Sequence, residues 1–161
     1  MLANRWVQLL LSAGVSSANL FQGRQYEANN FTANCAAIAS RLEIPHATVD
    51  FSQVVVAGTN LSLPDRITTC GSPFQVVTTD LCRVALNVAT SNSSETNLEV
   101  WLPSNWTGRF LSIGNGGLGG CIFYDDLAYA ASLGFASVGV DNGHTGNAGG
   151  EYLKQWDMQG I

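Results

Sequence analysis

The stretch Arg109-Phe-Leu-Ser-Ile-Gly-Asn-Gly-Gly-Leu-Gly-Gly-Cys121 is the part of the chain whose residue types most directly suggest chemistry: a short apolar run breaks into five glycines and ends on a cysteine. Backbone with so little side chain can approach a ligand closely and turn its N–H groups toward negative charge. Two kinds of anion suit such a loop. Gly114-Asn-Gly116-Gly-Leu-Gly119 has the spacing of a dinucleotide fingerprint, and Asp141 follows where a ribose-binding acid would stand. Alternatively, the same N–H groups can receive the oxyanion formed when an ester carbonyl is attacked. Gly116 and Gly117 are then the expected donors, with Gly117 preferred.

The other reactive side chains are few. His46 follows a short helical pattern and reads as structural or solvated, while His144 lies in a glycine-rich loop, either as a plain surface residue or ordering that loop at a pocket edge. A triad built on His144 and Asp141 would still need a serine on a sharp strand-to-helix turn, and the chain has neither a GxSxG motif nor a Cys-Ser pair. Asp125 and Asp126 are adjacent in the first turn of a helix, where they point in different directions and suit the macrodipole better than paired acid–base work. No CxxC pair or nearby histidine has ligand spacing, so no metal site is expected in this chain.

These residues need elements to hold them. Phe110–Ile113 reads as a buried strand, Asp125–Gly134 as a helix ended by its glycine, and Phe135–Val140 as a second strand, so the unit is strand, glycine loop, helix, strand, as in a parallel α/β sheet. The helix pattern starts near Asp125 and not at the third glycine, which counts against the dinucleotide reading. Upstream, Asn34 is placed to cap a helix from Cys35 to about Leu42, with Cys35, Ile38, Ala39 and Leu42 on one face and Pro45 preventing its continuation. Val49–Ala57 reads as a strand closed by Gly58, and Asn60–Pro73 as an irregular connection. Leu81–Thr90 and Leu98–Leu102 read as two strands joined by a polar loop of hairpin length.

Length and composition bound the rest. The 161 residues suffice for one domain, and a net charge of −5 with one lysine, Lys154, argues against a nucleic-acid groove or an anionic membrane surface. Residues 1–18 resemble an export signal: Arg5 follows the initiating methionine, Trp6–Val15 is mainly apolar, and Ser16-Ser17-Ala18 offers a cleavage site. Asn19–Asn34 is polar and aperiodic, as an extended surface segment would be. Sequons start at Asn30, Asn60, Asn92 and Asn105, and the four cysteines Cys35, Cys70, Cys82 and Cys121 suggest two disulfides in an oxidising compartment, with three pairings open.

The set Trp101-Leu-Pro103, Trp106-Thr-Gly-Arg-Phe110, Gly114-Asn-Gly-Gly-Leu-Gly-Gly120 and Gly139-Val-Asp-Asn-Gly-His144 resembles the N-terminal part of the fungal tannase and feruloyl esterase family. The resemblance runs from about Cys35 to Trp156. It implies a secreted, glycosylated serine hydrolase acting on plant phenolic esters, with an α/β-hydrolase fold and a lid that commonly holds calcium. It also implies the pairs Cys35 with Cys82 and Cys70 with Cys121. On this reading residues 19–161 form an incomplete α/β-hydrolase domain: N-terminal strands with a β-hairpin, the oxyanion loop and the first helix. The nucleophile, its aspartate and its histidine are expected downstream of Ile161, so the chain by itself is expected to be an inactive fragment needing no cofactor. The competing classes are a small secreted binding module stapled by disulfides, and a fragment of a dinucleotide-binding oxidoreductase. Only antiparallel pairing across Phe110–Val140 would favour the binding module.

Overall fold

The computed structural model describes residues 30–146, and within them the chain parts into two units at Asn34/Cys35. Residues 30–41 are helical (α1), so the helix starts upstream of the position expected from Asn34. Asn34 lies inside it instead of capping it, and the 30–34 end of the segment expected to be extended is helical too. The missed signal is that Phe31, Cys35 and Ile38 continue one helical stripe in the N-terminal direction. The expected signal segment, residues 1–18, lies outside the described residues.

The helix ends at Arg41, and Pro45 then opens a tight turn, with Ala47 N–H donating to the Ile44 carbonyl at 3.1 Å and His46 at φ 64°. This is the type II arrangement: proline sets the first central residue, and the second must adopt a positive φ. Strands then follow: β1 (Ala47–Val55), β2 (Asn60–Ser62), β3 (Phe74–Val76), β4 (Leu81–Ala89), β5 (Glu95–Pro103), β6 (Arg109–Ile113) and β7 (Phe135–Val140), with α2 (Tyr124–Ser132) between the last two. The connection expected to be irregular contains β2 and a short 3-10 turn at Thr68–Cys70, and β2 pairs with β3 as a separate two-stranded ribbon.

The main sheet runs β1-β4-β5-β7-β6. β1 with β4, β4 with β5 and β5 with β7 are antiparallel; only β6 with β7 is parallel. The α/β expectation therefore holds for the last strand–helix–strand unit, while the rest of the sheet is antiparallel and the whole is mixed. Antiparallel neighbours need only short turns, whereas the parallel pair needs a crossover, and the glycine loop with α2 supplies it.

Side-chain alternation assigns the faces. Leu81, Arg83 and Ala85 on β4 stand opposite Pro103, Trp101 and Glu99 on β5, and Trp101 is opposite Ser137 on β7. That face packs under α2, whose Leu127, Ala128, Ala130 and Ala131 are buried. Trp101, Leu81 and Leu127 are fully buried there and form one cluster with Val55, Leu61, Leu63 and Val77. Each large apolar side chain so enclosed contributes about 2–3 kcal/mol. On the opposite face Cys82 is bonded to Cys35 of α1. Among the described residues β6 pairs only with β7, so the strand expected to be buried is instead an open sheet edge, where Phe110 is 63% and Leu111 42% exposed.

Candidate functional site

The glycine loop leaves the end of β6 and closes into a turn. Gly119 N–H donates to the Gly116 carbonyl at 3.1 Å, and Gly117 sits at φ 60° while Leu118 does not adopt a positive φ. This matches a type II′ turn, which requires glycine at its first central position. Gly116, Gly117 and Leu118 are exposed, and no described residue accepts a hydrogen bond from their N–H groups. Gly119 and Gly120 are buried. The loop thus divides into an exposed half with open donors and a buried half that anchors it.

The anchor is the segment that follows β7. Gly120 and Gly146 exchange backbone hydrogen bonds at 2.7 and 3.3 Å. Asn142 donates from Nδ2 to the Gly119 carbonyl at 2.9 Å, and His144 Nε2 lies 3.0 Å from the Leu118 carbonyl. Asn115 bridges the two strand ends: its Nδ2 donates to the Val140 carbonyl at 2.6 Å, and its Oδ1 accepts from Cys121 N–H at 3.2 Å. The segment is in turn fixed to β5 through Asp141. Its Oδ1 accepts from Thr96 Oγ1, Asn97 N–H and Gly143 N–H at 2.8, 2.9 and 2.9 Å, and its Oδ2 accepts from Asn97 Nδ2 at 2.7 Å.

The far end of the loop is held covalently. Cys121 is bonded to Cys70 at the end of the 3-10 turn, and both sulfurs are buried. Just beyond, Tyr124 begins α2 and donates its hydroxyl to Glu99 Oε1 at 2.7 Å. Glu99 also accepts from Trp101 Nε1 at 3.0 Å and from Arg83, whose Nε lies 2.6 Å from Oε2 while its Nη2 pairs with Oε1. A buried carboxylate is stable only when its lone pairs are so occupied. Burial, reinforced by the Glu99 charge, pushes the Tyr124 hydroxyl well above its usual value. The Arg83 guanidinium is raised as well, because hydrogen bonding and attraction to Glu99 outweigh the desolvation that opposes them. A cavity of about 470 Å³ opens beside this cluster, lined among others by Arg66, Glu99, Gly120 and Tyr124.

Several expectations are now placed. Gly116 and Gly117 are exposed on a braced loop, with the donors of both open. Asp141 is fully engaged with β5 and its own turn and presents no free carboxylate to a ribose or a histidine. α2 starts at Tyr124, after the disulfide-bonded Cys121, so the third glycine does not open a helix as a dinucleotide site requires. His144 is 7% exposed and braces the loop, which corrects the plain-surface alternative; the spacing from Asp141 gave no sign of its fold back onto Leu118. His46 is exposed. Asn30, Asn60, Asn92 and Asn105 are all exposed. The parallel β6/β7 pair removes the ground on which a disulfide-stapled binding module was to be preferred.

Sequence reasoning missed Asn115, Asn142 and the Arg83–Glu99–Tyr124 cluster. For Glu99 a signal existed: period-2 alternation in Leu98-Glu-Val-Trp101 puts it on the face of the buried Trp101. Among the described residues no group of three or more His, Cys, Asp or Glu stands together as a metal site. Nor is any described helix long and apolar enough to cross a membrane.

No family model matches the chain. It is 53% identical over 138 residues to a probable feruloyl esterase B-2 of Aspergillus oryzae, covering 86% of this chain and 24% of that protein. It is 48% identical over 150 residues to feruloyl esterase C of Talaromyces stipitatus, covering 93% of this chain and 28% of that protein. Among solved structures, an esterase from Aspergillus oryzae superposes with a TM-score of 0.71 at 57% identity, over 74% of this chain and 24% of that one. Feruloyl esterase B from the same organism superposes with a TM-score of 0.70 at 49% identity, over 76% and 24%. The chain spans about a quarter of the length of these relatives. Over the stretch that matches, the chain is a relative of the fungal feruloyl esterases.

Proposed function

We propose that this chain supplies the oxyanion-binding segment of a secreted carboxylic ester hydrolase acting on plant phenolic esters such as feruloyl or galloyl esters. The observation that carries the proposal is the divided glycine loop: exposed N–H groups at Gly116 and Gly117, on a turn whose carbonyls are fastened to the 142–146 segment and whose end is fastened to Cys70. When a serine attacks an ester carbonyl, the carbonyl oxygen gains a full negative charge. Donors already fixed in place stabilise that charge without reorganising, and loss of one such donor lowers turnover by roughly 10²–10³-fold. The serine, aspartate and histidine come from sequence outside this chain, which makes the chain alone inactive. Calcium belongs to a lid also outside it. Two buried disulfides fit an oxidising compartment, and exposed Asn30, Asn60, Asn92 and Asn105 are glycan acceptors in a secreted product.

The test compares the 161-residue chain with the full product of its natural transcript on methyl ferulate and methyl gallate. The long product is expected to release the free phenolic acid and to be trapped by a serine-directed phosphonate, while the chain alone does neither. Turnover by the short chain, or none by the long product on either ester, refutes the proposal.

A further inference from the structure

The turn after β7 holds the glycine loop by its carbonyls, and His144 does so from inside. Its ring is packed so closely on Gly120 that a Cβ there would stand 2.7 Å from Cδ2 and 2.8 Å from Nε2. Nε2 faces the Leu118 carbonyl at 3.0 Å, while Nδ1 has a longer contact of 3.5 Å with the Asn142 carbonyl. A peptide group is planar, so fixing one end of it fixes the other. The Leu118 carbonyl shares its plane with Gly119 N–H, the group that closes the turn on the Gly116 carbonyl at 3.1 Å. If the Leu118 carbonyl swings, that closing bond is lost, and Gly116 and Gly117 lose their orientation.

The geometry points to His144 as a positioning residue that aims the Gly116 and Gly117 N–H groups by donating from Nε2 to the Leu118 carbonyl. For its effect on turnover, the assignment rests on the oxyanion reading above. A carbonyl oxygen only accepts, so Nε2 must carry a proton. Asn142, donating to the next carbonyl, Gly119, is the second point of the same grip.

The first test reads the wild-type ring. The chain has two histidines, so [15N]histidine labelling gives two ring systems, and His144→Gln assigns them. A protonated Nε2 on His144 is expected; a bare Nε2 overturns the assignment. The second test follows amide exchange at Gly119. His144→Phe keeps a ring without the donor and is expected to speed exchange about tenfold, whereas His144→Gln, which restores a donor at that reach, stays within about threefold. Equal behaviour of the two variants overturns the assignment, and if His144→Phe fails to fold, the wild-type tautomer still decides. The third test uses the long esterase: His144→Phe should lower kcat about tenfold with KM within twofold, and His144→Gln should recover it. An active long enzyme indifferent to His144→Phe refutes the positioning role alone. A long product without esterase activity refutes the proposed function and leaves the tautomer and exchange results to stand or fall by themselves.

Discussion

Three alanine substitutions within one turn should differ sharply, and the difference can be worked from the backbone. At Gly116 φ is outside the left-handed region and a new Cβ meets nothing within 4 Å. Gly116→Ala only removes freedom from the unfolded chain, so it should be neutral or stabilise by up to about 0.5 kcal/mol. At Gly117 the space is equally empty, but φ is 60°. The left-handed conformation costs alanine about 1–2 kcal/mol, partly offset by the unfolded-state gain, for a net loss of about 1 kcal/mol. At Gly120 the new Cβ runs into the backbone oxygen of His144, which cannot rotate away. Relief means giving up the two hydrogen bonds with Gly146 and the His144–Leu118 contact, three interactions of about 1 kcal/mol each. For a domain of this size each kcal/mol shifts the melting temperature by roughly 3–4 °C. Thermal unfolding of the oxidised chain should therefore show Gly116→Ala level with wild type, Gly117→Ala about 3 °C lower and Gly120→Ala about 10 °C lower. If Gly120→Ala melts with Gly116→Ala, the close approach of the two loops is wrong and the anchoring argument goes with it.

Removing the second disulfide by Cys70→Ala with Cys121→Ala reopens a loop of 51 residues and should cost about 4 kcal/mol in urea unfolding; a loss below about 1 kcal/mol would mean that the bridge restrains little. Tyr124→Phe removes the hydroxyl bond to Glu99 and should cost about 1–1.5 kcal/mol at neutral pH. Because the folded Tyr124 holds its proton above the ordinary value of 10.0, the unfolded chain ionises first as pH rises. The wild-type advantage is thus complete below pH 10 and shrinks above it, and a constant difference from pH 8 to 11 would contradict the buried environment. Phe110→Lys places a charge on the open edge of β6 and should suppress concentration-dependent association seen by sedimentation velocity; wild-type chain that stays monomeric at high concentration would show that this edge is harmless.

The sequence marked the strand–loop–helix–strand unit closely because its signals are local: an apolar run, a block of glycine, acids in the first helical turn, Gly134, then a second apolar run. It also placed both strands of the β4–β5 hairpin, whose alternation is strong. What it could not mark is strand order. β7 lies between β5 and β6, pairing antiparallel with one and parallel with the other, and nothing in Phe135–Val140 distinguishes those neighbours. The start of α1 was misplaced because an asparagine suits a cap as well as an exposed helical position. In the site, the exposed glycines were visible and their support was not. Asn115, Asn142 and His144 act across 6 to 26 positions of sequence, on carbonyls and amides that no motif specifies.

The position of β7 has a consequence for how the molecule is made. β6 is synthesised before β7, yet among the described residues β7 is its only partner, and β7 also pairs with β5 of the antiparallel β1-β4-β5 part of the sheet. On an emerging polypeptide the antiparallel β1-β4-β5 part can pair early, while Arg109–Ile113 waits unpaired until Phe135–Val140 has left the ribosome. The glycine turn, strung between those two strands and clamped by residues still further along, therefore takes shape only after them, and any translational stall before Val140 leaves it unformed.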